Sequence, residues 1–311
     1  SPEPTRGFGV IATQNVGTTP FLKILAASPH RQACEEWYDN NLCTMDVEVA
    51  FGAVVQADRP DVLMLQEVWD QRRCDEPGRP EEAREEPYAC ALGKLHQLER
   101  ILPVEYHYAC ATGYPDNCIA FLPDVFVPEA DDATATGAER DQSGAMRPVQ
   151  ADCGRPGRIA WLRGQSTSGT TVLVVVHTNA GFSVDDGECR GLQLAALRSD
   201  LMDLPADAAI FVAGDFNFDP STAEGPDADA LAALVEDLSL VRLRGSGPTH
   251  RLLKSELDLI WVRGWQLGEK ASCQVIYPDE ADAVPMFDHG YVTCTSGPRP
   301  PSRGRLAATG F

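Results

Sequence analysis

Positive charge is scarce in this chain of 311 residues: 26 Lys and Arg stand against 46 Asp and Glu, for a net charge of −20. That balance excludes a broad electrostatic grip on a polyanion. It leaves room for a hydrolase that neutralises phosphate with bound divalent cations and a few local arginines. Long apolar runs are also missing, because Asp, Arg or Gly interrupts every candidate well short of the roughly 18–20 residues that a membrane-crossing helix needs. No C-x-x-C pair occurs, which removes the usual zinc and dithiol spacings. An internal repeat with a period of roughly 20–50 residues is absent too, and so is a domain linker, so one large domain over residues 1–311 is expected.

What the chain does have is ten cysteines, Cys34, Cys43, Cys74, Cys90, Cys110, Cys118, Cys153, Cys189, Cys273 and Cys294. An even number without metal spacing predicts disulfides, and disulfides predict a secreted or periplasmic protein. No leader is visible at Ser1, so the chain is expected to begin near a mature N-terminus with the presequence removed. Leucines at helical spacing, Leu194, Leu197, Leu201 and Leu204, then Leu231, Leu234, Val235 and Leu238, and more weakly Leu92, Leu95 and Leu98, predict helices packed on a sheet. Strand-like runs cover Cys118 to Leu122, Arg158 to Leu162, Leu257 to Val262, Gln274 to Tyr277 and Tyr291 to Cys294. Asp70 to Pro87 and Pro128 to Gly157 read as surface insertions, with Cys74 and Cys153 as pins to the core, and Ser296 to Phe311 as an extended tail.

Function is concentrated where apolar runs stop. Phe8 to Thr13 runs into Gln14 and Asn15, Asp61 to Leu65 into Gln66 and Glu67, and Val172 to Val176 into His177. Ala208 to Ala213 ends in Gly214, Asp215, Phe216 and Asn217, and Asp288 and His289 open a last apolar stretch. Packing gives no reason for so many strands to end on such residues. One polar cluster at the rim of a sheet, suited to hard metal ions and phosphate, accounts for all of them.

Taken in order with Leu257-Asp258-Leu259-Ile260, these segments resemble the signature of the endonuclease/exonuclease/phosphatase superfamily, the deoxyribonuclease-like fold, from residue 15 to residue 289. The resemblance implies an α/β fold, a four-layer α/β sandwich of two mostly antiparallel sheets face to face with flanking helices. It also implies metal-assisted hydrolysis of a phosphodiester. Glu67 offers a hard anionic oxygen for Mg²⁺, with Mn²⁺ or Ca²⁺ as substitutes, and Asn15 orients it or binds through the ion's water. Asp288 completes that site. Asp215 activates water or holds a second metal, and Asn217 donates to the phosphoryl oxygen; two residues apart, both would point to one side of an extended segment. His289 is the candidate general base, with Asp258 fixing its tautomer. His177 would bind or protonate a developing oxyanion. Arg158 occupies a place where relatives often carry a phosphate-contacting arginine.

Some features depart from the pattern or stay outside it. Phe287 precedes Asp288 where a serine is common, no second glutamate is visible to pair with His177, and the inositol-phosphatase motif P-A-W-x-D-R is absent. His30, His96, His107 and His250 are read as ordinary core or surface histidines, Tyr106 and Tyr108 as core more than site, and Arg190 and Gln193 as helix-surface or packing residues. The first expectation for substrate is DNA cleaved by a secreted endonuclease, on the strength of Arg147, Arg155, Arg158 and Arg163. The second is a sphingomyelinase-type phospholipase C, with Trp261, Trp265, Val284, Pro285, Met286 and Phe287 as membrane-touching residues. A third is a binding or toxin-like module with a vestigial site.

Overall fold

The protein is described by a computed structural model over residues 4, 6–17, 45–69, 96–113, 115–129, 140–154, 158–265, 272–278 and 287–296. Each of its two sheets is built around one parallel pair of strands. In the first, β1 (Val10–Asn15) lies parallel to β2 (Val62–Gln66), and the chain between them includes α1 (Met45–Asp58). Antiparallel partners extend this pair on both sides. β2 is followed by β4 (Cys118–Phe121) and β3 (His107–Cys110), and β1 by β13 (Tyr291–Thr295) and β12 (Ser272–Ile276).

The second sheet repeats the plan. β8 (Gly169–His177) lies parallel to β9 (Ala209–Asp215), joined through α3 (Val184–Leu201), and His177 faces Asp215 in register. On the β9 side come β11 (Asp258–Arg263) and β10 (Val241–Leu243), and on the other β7 (Ile159–Ser166), which pairs with the short β5 (Val127–Pro128) and β6 (Arg147–Pro148). A parallel pair brings the carboxyl ends of both strands to the same rim. Asn15 and Glu67 are thereby delivered together, and so are His177 and Asp215.

Alternation along the strands makes the layers. Leu173, Val175, Phe211 and Ala213 join Ile11, Leu63 and Leu65 in the core between the sheets. Their neighbours Val172, Val174, Val176, Ile210 and Val212 face outward and are covered by Leu194, Leu197 and Leu201 of α3 and by Leu231 and Leu234 of α4 (Pro226–Asp237). Burial on both faces explains why β8 reads as an unbroken apolar run. Phe51 and Val55 of α1, with Leu98 and Ile101 of α2 (Gln97–Ile101), pack with the first sheet. These are the expected two sheets face to face with flanking helices. α3 starts at a capping box, in which the Ser183 hydroxyl accepts from the Asp186 amide while the Asp186 carboxylate accepts from Ser183 N.

Of the expected insertions, 70–87 lies outside the described residues, as do 130–139 and 155–157 of the second. The described part of the second is not all loop: a 3₁₀ turn at Ser143–Ala145 leads into β6, which adds to the edge of β7. Cys153 does pin this segment, through a disulfide to Cys189 of α3. Cys110–Cys118 and Cys273–Cys294 join directly opposed residues of antiparallel strands. Cys34, Cys43, Cys74 and Cys90 lie outside the described residues, as does the tail from 297.

Candidate active site

The strand ends meet in a cleft of about 450 Å³ whose lining includes Asn15, Glu67, His177, Asp215, Asn217, Asp288 and His289. Local backbone geometry aims them. Glu67 follows β2 at φ 62° and Asn217 follows β9 at φ 54°, the left-handed region that side chains other than glycine seldom adopt. Gly214, at φ 145°, lets β9 approach β8 so closely that a Cβ there would lie 1.9 Å from the Val176 carbonyl oxygen. The segment after Asp215 is therefore not extended, as the two-residue spacing suggested. Asp215 Oδ1 accepts from the Asn217 amide at 2.8 Å in an Asx turn, and the turn, not strand alternation, brings both side chains to the cleft.

Asn15 organises the acidic side. Its Nδ2 donates to Glu67 Oε1 at 2.9 Å and Asp215 Oδ2 at 3.2 Å, while its Oδ1 accepts from Gly17 N at 2.9 Å. On the basic side, His289 Nδ1 is 2.8 Å from Asp258 Oδ2, and its Nε2 faces Asp215 Oδ2 at 3.7 Å. Asp258 does not line the cleft; it stands behind His289 at 2% exposure. His177 Nε2 faces Glu67 Oε1 at 3.7 Å, so the glutamate beside this histidine is Glu67 itself. Asn217 Nδ2 donates to the Thr178 carbonyl at 3.0 Å.

Electrostatics divides the histidines. Burial alone would lower His289, but the carboxylates of Asp258, Asp215 and Asp288 outweigh it and hold the imidazole well above its ordinary pKa. Burial takes His177 the other way, down to about 3. A neutral His177 can bind an oxyanion by hydrogen bonding and is poorly suited to protonating one. Burial, with Asp288 and Asp215 close by, pushes the Glu67 carboxyl up to about 8 against the opposing hydrogen bond from Asn15. Three carboxylates, Glu67, Asp215 and Asp288, thus share a cleft whose described lining includes no Lys or Arg. That donor set fits a hard divalent cation, whose charge would offset theirs.

Arg158 is not part of the lining. Its Nη1 donates to the carbonyls of Thr178 at 2.8 Å and His177 at 3.5 Å. Tyr106 and Tyr108 are buried in the core, their hydroxyls donating to Pro60 O and Glu99 Oε1. Arg190 is not a surface residue: it is 6% exposed and bound to Asp227 Oδ2 at 2.8 Å. Its Nη1 also holds the carbonyls of Gly181 at 2.8 Å and Asn179 at 3.3 Å, fixing the loop that lines one side of the cleft. Gln193 Oε1 supports the same loop by accepting from Asn179 N.

Some lining residues were not expected. His250, Phe182, Leu252, Leu253 and Leu257 also border the cleft, Phe182 from the loop after β8 and the others from the segment before β11. The turn 250–253 is docked on the segment before β13 by Arg251 N to Asp288 O and by a bridge between His250 and His289.

A model of the Endonuclease/Exonuclease/phosphatase family matches residues 41–282. The chain belongs to this family. Members of the endonuclease/exonuclease/phosphatase family are generally hydrolases of phosphoester bonds and typically use a divalent metal. No curated protein matches. Among solved structures, D. rerio TDP2 in complex with a single-strand DNA product is 13% identical, with 93% of this chain and 99% of that chain covered and a TM-score of 0.52. Beta toxin from Staphylococcus aureus is 11% identical over 92% and 99% of the two chains, at a TM-score of 0.52. A mannosyl-6-phosphatase from Bacteroides thetaiotaomicron is 15% identical over 92% and 98%, at 0.53. Likeness at these identities speaks for the fold.

Proposed function

We propose that the protein is a secreted, divalent-metal-assisted phosphodiesterase whose substrate carries an apolar group beside its phosphate, a sphingomyelin-type lipid in preference to DNA. The chemistry rests on the meeting of two parallel strand pairs with β11 and the segment before β13, where Glu67, Asp215 and Asp288 stand opposite the Asp258-bound His289 in one cleft. Glu67, Asp215 and Asp288 would hold the cation, with Asn15 orienting Glu67; Mg²⁺ is the first choice and Mn²⁺ or Ca²⁺ the substitutes. When bound, the cation polarises the phosphoryl group and offsets its charge. With the cation offsetting the carboxylates that otherwise favour its protonated form, a neutral His289 takes the proton of the attacking water at Nε2, Asp258 keeps its Nδ1 occupied, and Asp215 holds the same water. Asn217 and the neutral His177 bind phosphoryl oxygens.

The substrate preference follows from the rim. Phe182 is 85% exposed, and Leu252 and Leu253, which also line the cleft, are 45% and 49% exposed. A polynucleotide needs cationic side chains along its track, and those expected to supply them are turned elsewhere. Arg147 lies over the Trp161 ring, Arg158 holds backbone carbonyls and Arg163 pairs with Glu129 at 3.1 Å; Arg155 lies outside the described residues. The apolar residues first expected to touch a membrane do not form the rim: Phe287 is fully buried, Trp265 packs on the inter-sheet core and Trp261 on the helix layer, while 284–286 lie outside the described residues. Three disulfides among the described residues support an oxidising compartment.

The test is to incubate oxidised protein and Mg²⁺, with and without EDTA, with sphingomyelin-containing phosphatidylcholine vesicles and in parallel with supercoiled plasmid. EDTA-sensitive release of the headgroup with intact plasmid supports the proposal. Nicked plasmid without headgroup release would favour DNA, and Mg²⁺ binding with neither reaction would favour the non-catalytic module.

A further inference from the structure

Among the described residues three imidazoles line the cleft, and His250 is the one to which neither the sequence nor the chemistry above gives a role. It is 7% exposed and tightly placed. Its Nδ1 accepts from the Leu253 amide at 3.0 Å, closing the turn 250–253, and its ring stands at 82° to that of His289 with 4.8 Å between centroids. An imidazole whose Nδ1 accepts an N–H carries its own proton on Nε2. That nitrogen looks toward Asp288 Oδ2 at 3.7 Å, longer than a hydrogen bond.

The same tautomer decides between two uses of the group. Ligand atoms of His250, Asp288 and His289 lie within 4.8 Å of one another, which is a spacing a metal ion could use. Ligation through Nε2, however, requires the proton on Nδ1, where it would meet the Leu253 N–H head on. A donor role has no such conflict. The cleft also has need of donors. Its described lining includes no Lys or Arg, the Asn15 amide donates to Glu67 and Asp215, and the Asn217 amide gives one hydrogen to Thr178 O.

We propose that His250 binds substrate: its Nε2–H, held in that tautomer by the Leu253 amide, donates to a non-bridging oxygen of the phosphoryl group beside Asp288. This deepens the phosphodiesterase reading and depends on it for the identity of the bound group.

Two variants separate donation from support of the turn. In His250→Asn the side-chain oxygen can still accept from Leu253 N, but no N–H reaches the position of Nε2. In His250→Gln an amide N–H reaches that position. The probes are inorganic phosphate, titrated calorimetrically into Mg²⁺-loaded protein, and bis(4-nitrophenyl) phosphate for turnover. His250→Asn is expected to weaken phosphate binding and lower kcat by about 10- to 100-fold, the range for one hydrogen bond to a charged group, with the thermal midpoint and Mg²⁺ affinity unchanged. His250→Gln is expected to recover most of both. Phosphate bound as tightly by His250→Asn as by wild type would overturn the proposal, as would loss of Mg²⁺ affinity in step with phosphate, which would make His250 a metal ligand. Wild-type protein that binds phosphate yet leaves the diester intact would count against the phosphodiesterase reading alone, and the phosphate titration would still judge His250.

Discussion

Asp258 sits directly opposite Asp215 in the ladder between β11 and β9, and the two carboxylates address opposite ends of one imidazole, Asp258 at Nδ1 of His289 and Asp215 at Nε2. Sheet register thus sets the orientation of the proposed base. Asp258→Asn offers His289 Nδ1 an amide in place of a carboxylate while keeping size and strand pairing. Initial rates on a soluble diester should fall by about 10²- to 10⁴-fold, the range for a disabled general base, with circular dichroism unchanged. A wild-type rate in this variant would detach Asp258 from the mechanism.

The pH dependence of stability reports on the same groups. In cation-free protein Glu67 is raised to about 8 and His289 well above its ordinary value of 6.5, so each binds more protons folded than unfolded. Stability from such groups is complete below the unfolded pKa and is lost as pH rises through the folded one. His177, lowered to about 3, acts in the opposite sense, but its effect is complete by about 6.5. Above that pH the first two govern. In EDTA the thermal midpoint should therefore fall from pH 6.5 to 8, and Mg²⁺, which displaces these protons, should raise it more at pH 8 than at pH 6.5. An Mg²⁺ effect equal at both pH values would show that the ion displaces no proton here and would remove Glu67 from the metal site.

Gly17 makes room for the metal ligand. A Cβ there would lie 1.7 Å from Glu67 Oε2, the end of a movable side chain, so Gly17→Ala should displace the carboxylate while leaving the fold in place. Titration calorimetry should show Mg²⁺ affinity reduced about tenfold or more, as for lost outer-shell support of a metal ligand. Unchanged affinity would mean that Glu67 does not bind the ion.

Arg190 and Asp227 tie α3 to α4 and hold the loop carrying Phe182. Asp227→Ala leaves a buried guanidinium without its carboxylate, a change that typically costs about 3–5 kcal/mol. Denaturant melts should show a loss of that size, with activity falling as the carbonyls of Asn179 and Gly181 lose their donor. A loss well below this range would show that water enters and solvates Arg190.

Much of this fold could be read from the chain because β1, β2, β8 and β9 are buried on both faces. Their sequences are unbroken apolar runs, and the polar residues that end them stand out. α1 was not legible: among its described positions the buried apolar residues are Phe51 and Val55, with Ala50 and Val54 partly covered, and such residues lack the leucine periodicity that marked α3 and α4. Sequence spacing also gave no hint of His250, which reaches the cleft by the bridge between its turn and His289. Arg158 shows a related effect. Position beside a strand end brought it near the site, but the carbonyl of Thr178 captured its guanidinium. Hydrophobicity likewise pointed to Phe287 and Trp265, whereas exposure on loops made Phe182, Leu252 and Leu253 the rim.

Metal-assisted hydrolysis of a phosphodiester with His289 as base is open to a simple kinetic comparison. Its most direct test is the rate of bis(4-nitrophenyl) phosphate hydrolysis by wild type and His289→Ala in Mg²⁺, before and after EDTA. Wild type is expected to turn the diester over, with EDTA abolishing the reaction and the variant slower by at least about 10²-fold. Equal rates for the two proteins, or turnover that survives EDTA, would contradict it.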